Sequence, residues 1–559
     1  MRKMTMVLLV MFSLVLWGCA SGDPTPATPV TPTDDPEPAS GGEVIIGLER
    51  DPERLVTVVR RMRTGVPVHQ LIYSSLLQLD EDLEPQPDLA ESYEISEDGR
   101  TITFYLREDV VFHDGEPLTA HDVAFTYNLM GHPDYVGGME STVIRFEGLQ
   151  DSKDGKTDGL SGIQVLNDYT ISFTMTDQFA PIWGSFDLGI MPKHILEDRP
   201  VADLGIDPFN YNAIGSGPFR LVEYEPDRHI IVDAHDDYFL GRPNLDRIIV
   251  RIASPEALLG SWLAGEMDAT PIPPGEFDAV ANAAHGDPYE FIEPAMHHLR
   301  INCQSVFFED ARVRRAVSYA ISRQDIVDIV LQGRGMPISQ PHPMSWGYNP
   351  DIVIEQDLDK AAELMDAAGW TLNPNTGLRE KDGVPFIVEM WHLSGTAFDT
   401  DIALMVQSYL DELGMEVSLR SMDSSALWSA LLPRDQPLDP ETYHFMVAST
   451  LLTTADPDWK RSALHSSFHP PAGRNHLLFS DAELDEMLEY QATLMDFDER
   501  RDYWHNELWP LILEHSPYVG LVQPAEFYAV HNRLEGFSPG PHSRVNNVLN
   551  WTVTGSRSR

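Results

Sequence analysis

Apolar patterns of period two and period 3.6 alternate along this chain, and few architectures accept both. In "TITFYLRED" the residues Ile102, Phe104 and Leu106 fall on one face, as in a half-buried strand. "TISFTMTD" repeats the pattern with Ile171, Phe173 and Met175. Between them lies "LTAHDVAFTYNLM", where Thr119 and Asp122 have the spacing of a helix capping box. Asp310 is placed to cap "ARVRRAVSYAI". Ser322 and Asp325 cap "QDIVDIVLQ", which Gly333 closes. "DLDKAAELMDAAGW" is a helix ending at Gly369, and Ser480 with Glu483 caps "AELDEMLEYQATLM". Strands and helices interleaved in this way need layers of each. That predicts an α/β or mixed α+β fold and argues against a helical bundle or a β-sandwich.

Ahead of this body runs "VLLVMFSLVLWGCASGDPTPATPVTPTDDPEP", Val7 to Pro38. Arg2 and Lys3 give a positive start, Met4 to Trp17 is almost wholly apolar, and small Gly18 precedes Cys19. That is the order of an export signal, and it is too short to span a bilayer comfortably. Leu16-Trp17-Gly18-Cys19 resembles a bacterial lipobox, which implies a signal peptide over 1–18 and lipid on Cys19 as the mature N-terminus. An uncleaved anchor helix is the alternative. Either holds the body outside a cytoplasmic membrane. Residues 19–42, rich in Pro, Thr, Asp and Ser, have almost nothing to bury and read as an extended tether. No other stretch is long and apolar enough to cross a membrane.

With Cys19 lipidated, Cys303 has no partner for a disulfide in the chain and reads as a small buried hydrophobe. The 559 residues suit roughly three to four units of about 150. The net charge of −48, from 39 basic and 87 acidic residues, opposes binding to phosphate backbones, so nucleic acid is excluded as a partner.

Motifs for chemistry are lacking. "GSGPF", Gly215 to Phe219, has the wrong spacing for a nucleophile elbow and reads as a turn before a strand. No P-loop, H-E-x-x-H or C-x-x-C occurs. His297 and His298 are adjacent, so a strand would point them to opposite faces; His465 and His469 precede Pro470-Pro471 in what reads as a loop. No metal site and no cofactor are predicted. An exterior protein of this size without a catalytic constellation reads as a receptor and not an enzyme.

Several segments in order carry a resemblance. "LIYSSLLQLDEDLEPQPDLAESYEISEDGRTITFYLREDVVFHDGEPLTAHDVAFTYNLM" is followed by "SGIQVLNDYTISFTM", "IMPKHILED" and "AIGSGPFRLVEYEPDRHIIVDAHDDYFLGRPNLDRIIVRI". "FFEDARVRRAVSYAISRQDIVDIVLQGRGMP" and "IALMVQSYLDELGMEVSLRSMD" complete the run. The series resembles the extracellular solute-binding proteins of family 5, the peptide- and nickel-type receptors of ABC importers. Asp236 stands where the family usually has an asparagine, and Ser322 where it has an aspartate.

The resemblance implies a two-lobed periplasmic-binding-protein-like fold with the ligand between the lobes and an extra subdomain in the first. The expected division is lobe I over 43–296, lobe II over 297–525 and a return segment over 526–559. It also implies a monomer that delivers a peptide or other small solute to a membrane permease. Expected cleft residues are the aromatics Tyr73, Trp391, Trp428 and Trp459, since large rings bury much area at small entropic cost. In peptide-binding relatives an aspartate receives the ligand's α-ammonium. Aligning "ASTLLTTADPDW" on Asp456-Pro457-Asp458 puts Thr453 at that position and Thr450 at the position of a tryptophan. Three readings stay open: Asp456 or Asp458 takes the role, a carboxylate elsewhere does, or the ligand lacks a free amino terminus, as an oligosaccharide does. A secreted hydrolase and a surface peptide-holding chaperone are the alternatives to a transport receptor.

Overall fold

The structure, a computed structural model, describes residues 41–555 apart from 60–64, 81–83, 274, 293–294, 341–345, 396–397, 434–435, 452–455, 541–542 and 546. Cys19, the proposed signal and most of the tether lie outside the described residues, as does Thr453.

β1 (Glu43–Leu48) is followed by a four-stranded antiparallel sheet of β2 (Ala90–Ile95), β3 (Thr101–Leu106), β4 (Ile163–Asn167) and β5 (Thr170–Thr174), in the order β2-β3-β5-β4. On β3, Ile102, Phe104 and Leu106 are buried and their neighbours are partly exposed, as the alternation predicts. Helix α1 (Ala120–Gly131) packs against this sheet, and both bonds of the Thr119–Asp122 capping box are formed. Phe104, Tyr127, Phe173 and Phe186 meet behind it, with ring centroids 4.7 to 5.2 Å apart in three of the pairs.

The chain then builds β6 (Phe219–Glu225), β7 (His229–Ala234), β8 (Arg247–Ile252), β9 (Ala269–Pro271) and β10 (Gly286–Ile292). The glycines of "GSGPF" are explained by the close approach of two backbones. A Cβ on Gly215 would stand 2.1 Å from the Ile72 carbonyl oxygen, and one on Gly217 2.5 Å from the Ile72 carbonyl carbon.

β11 (Ala295–Ile301) opens the second half. It continues with α2 (Ala311–Ala320), α3 (Arg323–Ile329), α4 (Leu358–Ala367), β12 (Ile387–Leu393), α5 (Asp399–Glu412), β13 (Glu416–Met422), α6 (Ser424–Leu431), β14 (Phe445–Leu451), α7 (Ala482–Gln491) and β15 (Tyr518–His531). The large sheet runs β13-β12-β14-β11-β15-β9-β1-β8-β7-β6, with β10 also on β15. β15 carries the architecture: its Tyr518–Val522 stretch pairs with β11, and its Ala525–His531 stretch pairs with β10.

Two separate groups of cores flank this strand. One gathers residues from Val44 to Ile252 with Tyr528, Phe537 and Trp551. The other lies on both faces of the β11–β15 half-sheet. α2, α3, α4 and α5 cover Leu299, Val388, Phe445 and Leu521 on one face. α6 and the segment from Ala463 to Ile512 cover Trp391, Met446, Ala448 and Tyr518 on the other.

Three expected caps differ in detail. Asp481, not Ser480, caps α7, because its carboxylate is the one within reach of the Leu484 N–H, at 2.9 Å. Ser322 does accept from the Asp325 N–H, but the Asp325 carboxylate is taken by the Tyr409 hydroxyl, at 3.0 Å. α3 ends at Ile329, short of Gln332, and Gly333 follows at φ +77°.

Candidate functional site

His297 and His298 do point to opposite faces of β11. His297 Nδ1 lies 2.8 Å from the Asp399 carboxylate at the start of α5. His298 and Arg300 lie on the other face, beneath α6 and the Asp456–His476 segment, and both are buried. Arg300 holds three partners there. Its Nε donates to His298 Nε2 at 3.0 Å, Nη1 to His476 Nε2 at 2.8 Å, and Nη2 to the Thr450 hydroxyl at 2.7 Å. Each imidazole accepts with Nε2 and so is neutral with its proton on Nδ1. Burial and then Arg300 hold both histidines well below the usual imidazole range.

Lys460 completes the group. It is fully buried, with its ammonium 3.8 Å from the Trp459 ring and 4.3 Å from the Tyr518 ring. Burial first, and Arg300 second, push it well below the usual lysine range. Trp428 closes the outer side. Its ring lies 5.7 Å from the Arg300 guanidinium carbon and edge-on to His476, and it is 37 % exposed.

This cluster lies beside the junction of the two sets of cores. Arg461, the residue after Lys460, has its guanidinium 5.4 Å from the Phe179 ring. The Ala180 N–H donates to the Ala492 carbonyl at 2.7 Å, and Arg501 pairs with Glu84 at 3.6 Å. Thr450 pairs with Met296 at the end of β11 nearest the strand crossing.

The expected cleft residues divide. Thr450, Trp428 and Trp459 come together around Arg300 and Lys460. Asp456 is engaged elsewhere, in a two-pronged pair with buried Arg500 at 2.6 and 2.8 Å. Asp458 is held by Arg461 at 3.1 Å and by Gln491. Trp391 is 2 % exposed in the core under α6, donating to Glu389 at 2.7 Å. Tyr73 is buried where Gly189 and Gly215 leave room for its ring. Arg300, His476 and Lys460 were not expected. The sequence signal for Arg300 was a charge inside the otherwise apolar end of β11, two residues from His298 and therefore on its face.

Cys303 donates weakly to the Ile301 carbonyl and packs against the core of Trp504 and Trp509. Among the described residues the one group of three metal-type donors is Glu223, Glu225 and His229 on the exposed β6–β7 hairpin. His465 and His469 instead face Asp485 with Glu489, and the Phe479 carbonyl. No helix among the described residues is long and apolar enough to cross a membrane.

The family model for bacterial extracellular solute-binding proteins, family 5 Middle, matches residues 84–470. The chain belongs to family 5. Among curated relatives, the oligopeptide-binding protein AppA of Bacillus subtilis is 29 % identical over 527 residues, 92 % of each chain. Heme-binding protein A of Haemophilus influenzae is 27 % identical over 502 residues, 84 % of this chain and 85 % of that one. The solved structure of B. subtilis AppA with a nonapeptide superposes with a TM-score of 0.67 at 27 % identity, covering 93 % of this chain and all of that one. The open, unliganded murein tripeptide binding protein MppA gives 0.77 at 20 % identity over 92 % of this chain and 98 % of its own. The fold is therefore the mixed α/β, two-lobed one of the periplasmic peptide-binding proteins.

Proposed function

We propose that this chain is an extracytoplasmic receptor that captures a peptide between two lobes and delivers it to the membrane permease of an ABC importer. The observation that carries the reading is the likeness to a nonapeptide-bound oligopeptide receptor over nearly the whole of both chains. The division of cores about β15 supports lobe I over 43–296, lobe II over 297–525 and a return segment over 526–559. In this reading the protein acts as a monomer, and lipid on Cys19 with the tether behind it keeps the body at the outer face of the membrane. Ligand closes the lobes by making contacts available only in the closed form. Mass spectrometry of ligand co-purified from the host tests the ligand class. Scattering with and without that ligand tests closure, and a profile unchanged at saturation refutes it. An intact Met1 start on the membrane-extracted protein refutes lipidation at Cys19.

A second reading, a ligand without a free amino terminus such as an oligosaccharide, is favoured by one observation. Asp456 and Asp458, the carboxylates that follow Thr453 most closely in sequence, are both paired with arginines. Calorimetry with a peptide and its N-acetylated twin separates the readings: equal affinity removes ammonium recognition.

A further inference from the structure

The Arg300 cluster is held differently from the chain's other buried cations: Arg314 and Arg323, also buried without a carboxylate among the described residues, donate mainly to backbone carbonyl oxygens. Buried charges are normally paired with an opposite charge, and acidic residues outnumber basic ones here by 87 to 39. Arg533, for comparison, is buried against the Asp268 carboxylate, and Arg500 against Asp456. Arg300 and Lys460 are as deeply buried, yet among the described residues no carboxylate pairs with either. The partners of Arg300 are two neutral imidazoles and a hydroxyl. The Lys460 ammonium meets two ring faces and has no hydrogen-bond partner among the described residues.

We propose that this cluster is the subsite for a carboxylate of the bound solute, received by Arg300 with Lys460 behind it and Trp428 at its open side. The assignment rests on the receptor reading above and makes its ligand an acid. The contacts of Arg300 use one N–H on each of its three nitrogens, so one N–H on each terminal nitrogen is without a partner among the described residues. A carboxylate accepts from two such N–H groups at once. His298, His476 and Thr450 fix the plane of the guanidinium and bring no negative charge to compete with the ligand. The long-range field of so acidic a chain does not defeat the site, because exposed charges are screened beyond about 8–10 Å at physiological salt whereas the Arg300 guanidinium is shielded from water. The carboxylate has two possible sources in a peptide, the C-terminus or an acidic side chain, and both present the same group.

Calorimetry with four probes decides the matter: tetra-alanine, its C-terminal amide, the amide of Ala-Ala-Glu-Ala, and glutarate as an acid without peptide bonds. We expect a carboxylate-bearing peptide to bind the wild type at least about tenfold tighter than tetra-alanine amide. A tight tetra-alanine identifies the C-terminus as the source, and a tight Ala-Ala-Glu-Ala amide identifies the side chain. Arg300→Gln should abolish the gap between the carboxylate-bearing peptides and tetra-alanine amide. If Arg300→Gln does not fold, Lys460→Met should narrow the gap. Equal affinity for the three peptides in the wild type overturns the subsite, as does a gap that survives in the substituted proteins. If no peptide binds but glutarate does, and Arg300→Gln abolishes it, the subsite stands and the peptide reading falls. Glutarate binding indifferent to Arg300→Gln, or no binding by any of the four, overturns the subsite.

Discussion

Asp456→Asn distinguishes a structural carboxylate from a ligand-binding one. The Asp456 carboxylate spans Arg500 Nη1 and Nη2, and the Arg500 side chain is 2 % exposed. Gln491 Oε1 accepts from Arg500 Nε and Nη2 at 3.0 and 2.9 Å and from Trp504 Nε1 at 3.0 Å. Asparagine keeps one accepting oxygen and still caps the turn that follows, because the Asp458 N–H bond to the side-chain oxygen can survive. It removes the charge and turns an amide N–H₂ toward a guanidinium that has nowhere to go. Breaking a buried pair on one side costs about 3–5 kcal/mol. At about 2–4 °C per kcal/mol for a lobe of this size, Tm falls by about 6–20 °C. Thermal and urea denaturation read the loss, and Arg500→Met in a double-substitution cycle should show that the two effects overlap instead of adding. Calorimetry on the surviving folded protein should find the ratio of affinities for a tetrapeptide and its N-acetylated twin unchanged. If Asp456→Asn is as stable as the wild type and that ratio collapses toward one, the pairing argument is wrong and Asp456 receives the ligand's ammonium.

Trp391→Ala should cost about 3–5 kcal/mol in urea denaturation, as for a large ring removed from a core, and leave the affinity unchanged. Trp428→Ala should cost about 1 kcal/mol or less and weaken binding. Tyr73→Phe should be neutral or slightly stabilising in thermal melts, because the Tyr73 hydroxyl is buried with no hydrogen-bond partner among the described residues. Burial raises the Asp88 carboxyl to about 6 against the bonds it accepts from Ser75 and Gln78. The folded protein therefore keeps this proton to a higher pH than the unfolded chain does. The resulting stabilisation is complete below about pH 4 and is lost as pH rises through about 6. Denaturation between pH 4 and 7 should show the wild type losing ground to Asp88→Asn as pH rises, and parallel curves would contradict this.

Local features were the legible ones. The alternation in β3 and the Thr119–Asp122 box are decided within a few residues, and tertiary structure had no reason to overrule them. The α7 cap was ambiguous because Ser480 and Asp481 are both good caps, and only the reach to the Leu484 N–H chooses between them. The Ser322 box lost half its bonds to a tyrosine 84 residues from Asp325 in sequence, which no local rule anticipates. β15 was harder still. "YVGLVQPAEFYAVH" is buried at most positions and so has no period to read. Its double pairing, with β11 and then with β10, depends on strands more than 200 residues earlier. The crossing of the chain between lobes was expected from the family resemblance, not from the pattern of these residues.

The site shows why composition misleads about chemistry. A net charge of −48 directs attention to which carboxylate receives an ammonium, and Asp456 and Asp458 were expected candidates on that ground. Charge counts average over a solvated surface, where each charge is screened and worth little. A buried charge is not averaged: removing Arg300 and Lys460 from water without a carboxylate among the described residues is costly at that place whatever the surface carries. Thr450 illustrates the reversal. Read alone, it is a hydroxyl where the family resemblance implies a tryptophan; in the fold, that hydroxyl accepts from Arg300. That hydroxyl gives the guanidinium an uncharged acceptor. Under the proposed carboxylate subsite, an uncharged Thr453 in the sequence and a cationic Arg300 express a single preference, for a solute recognised by its acid end.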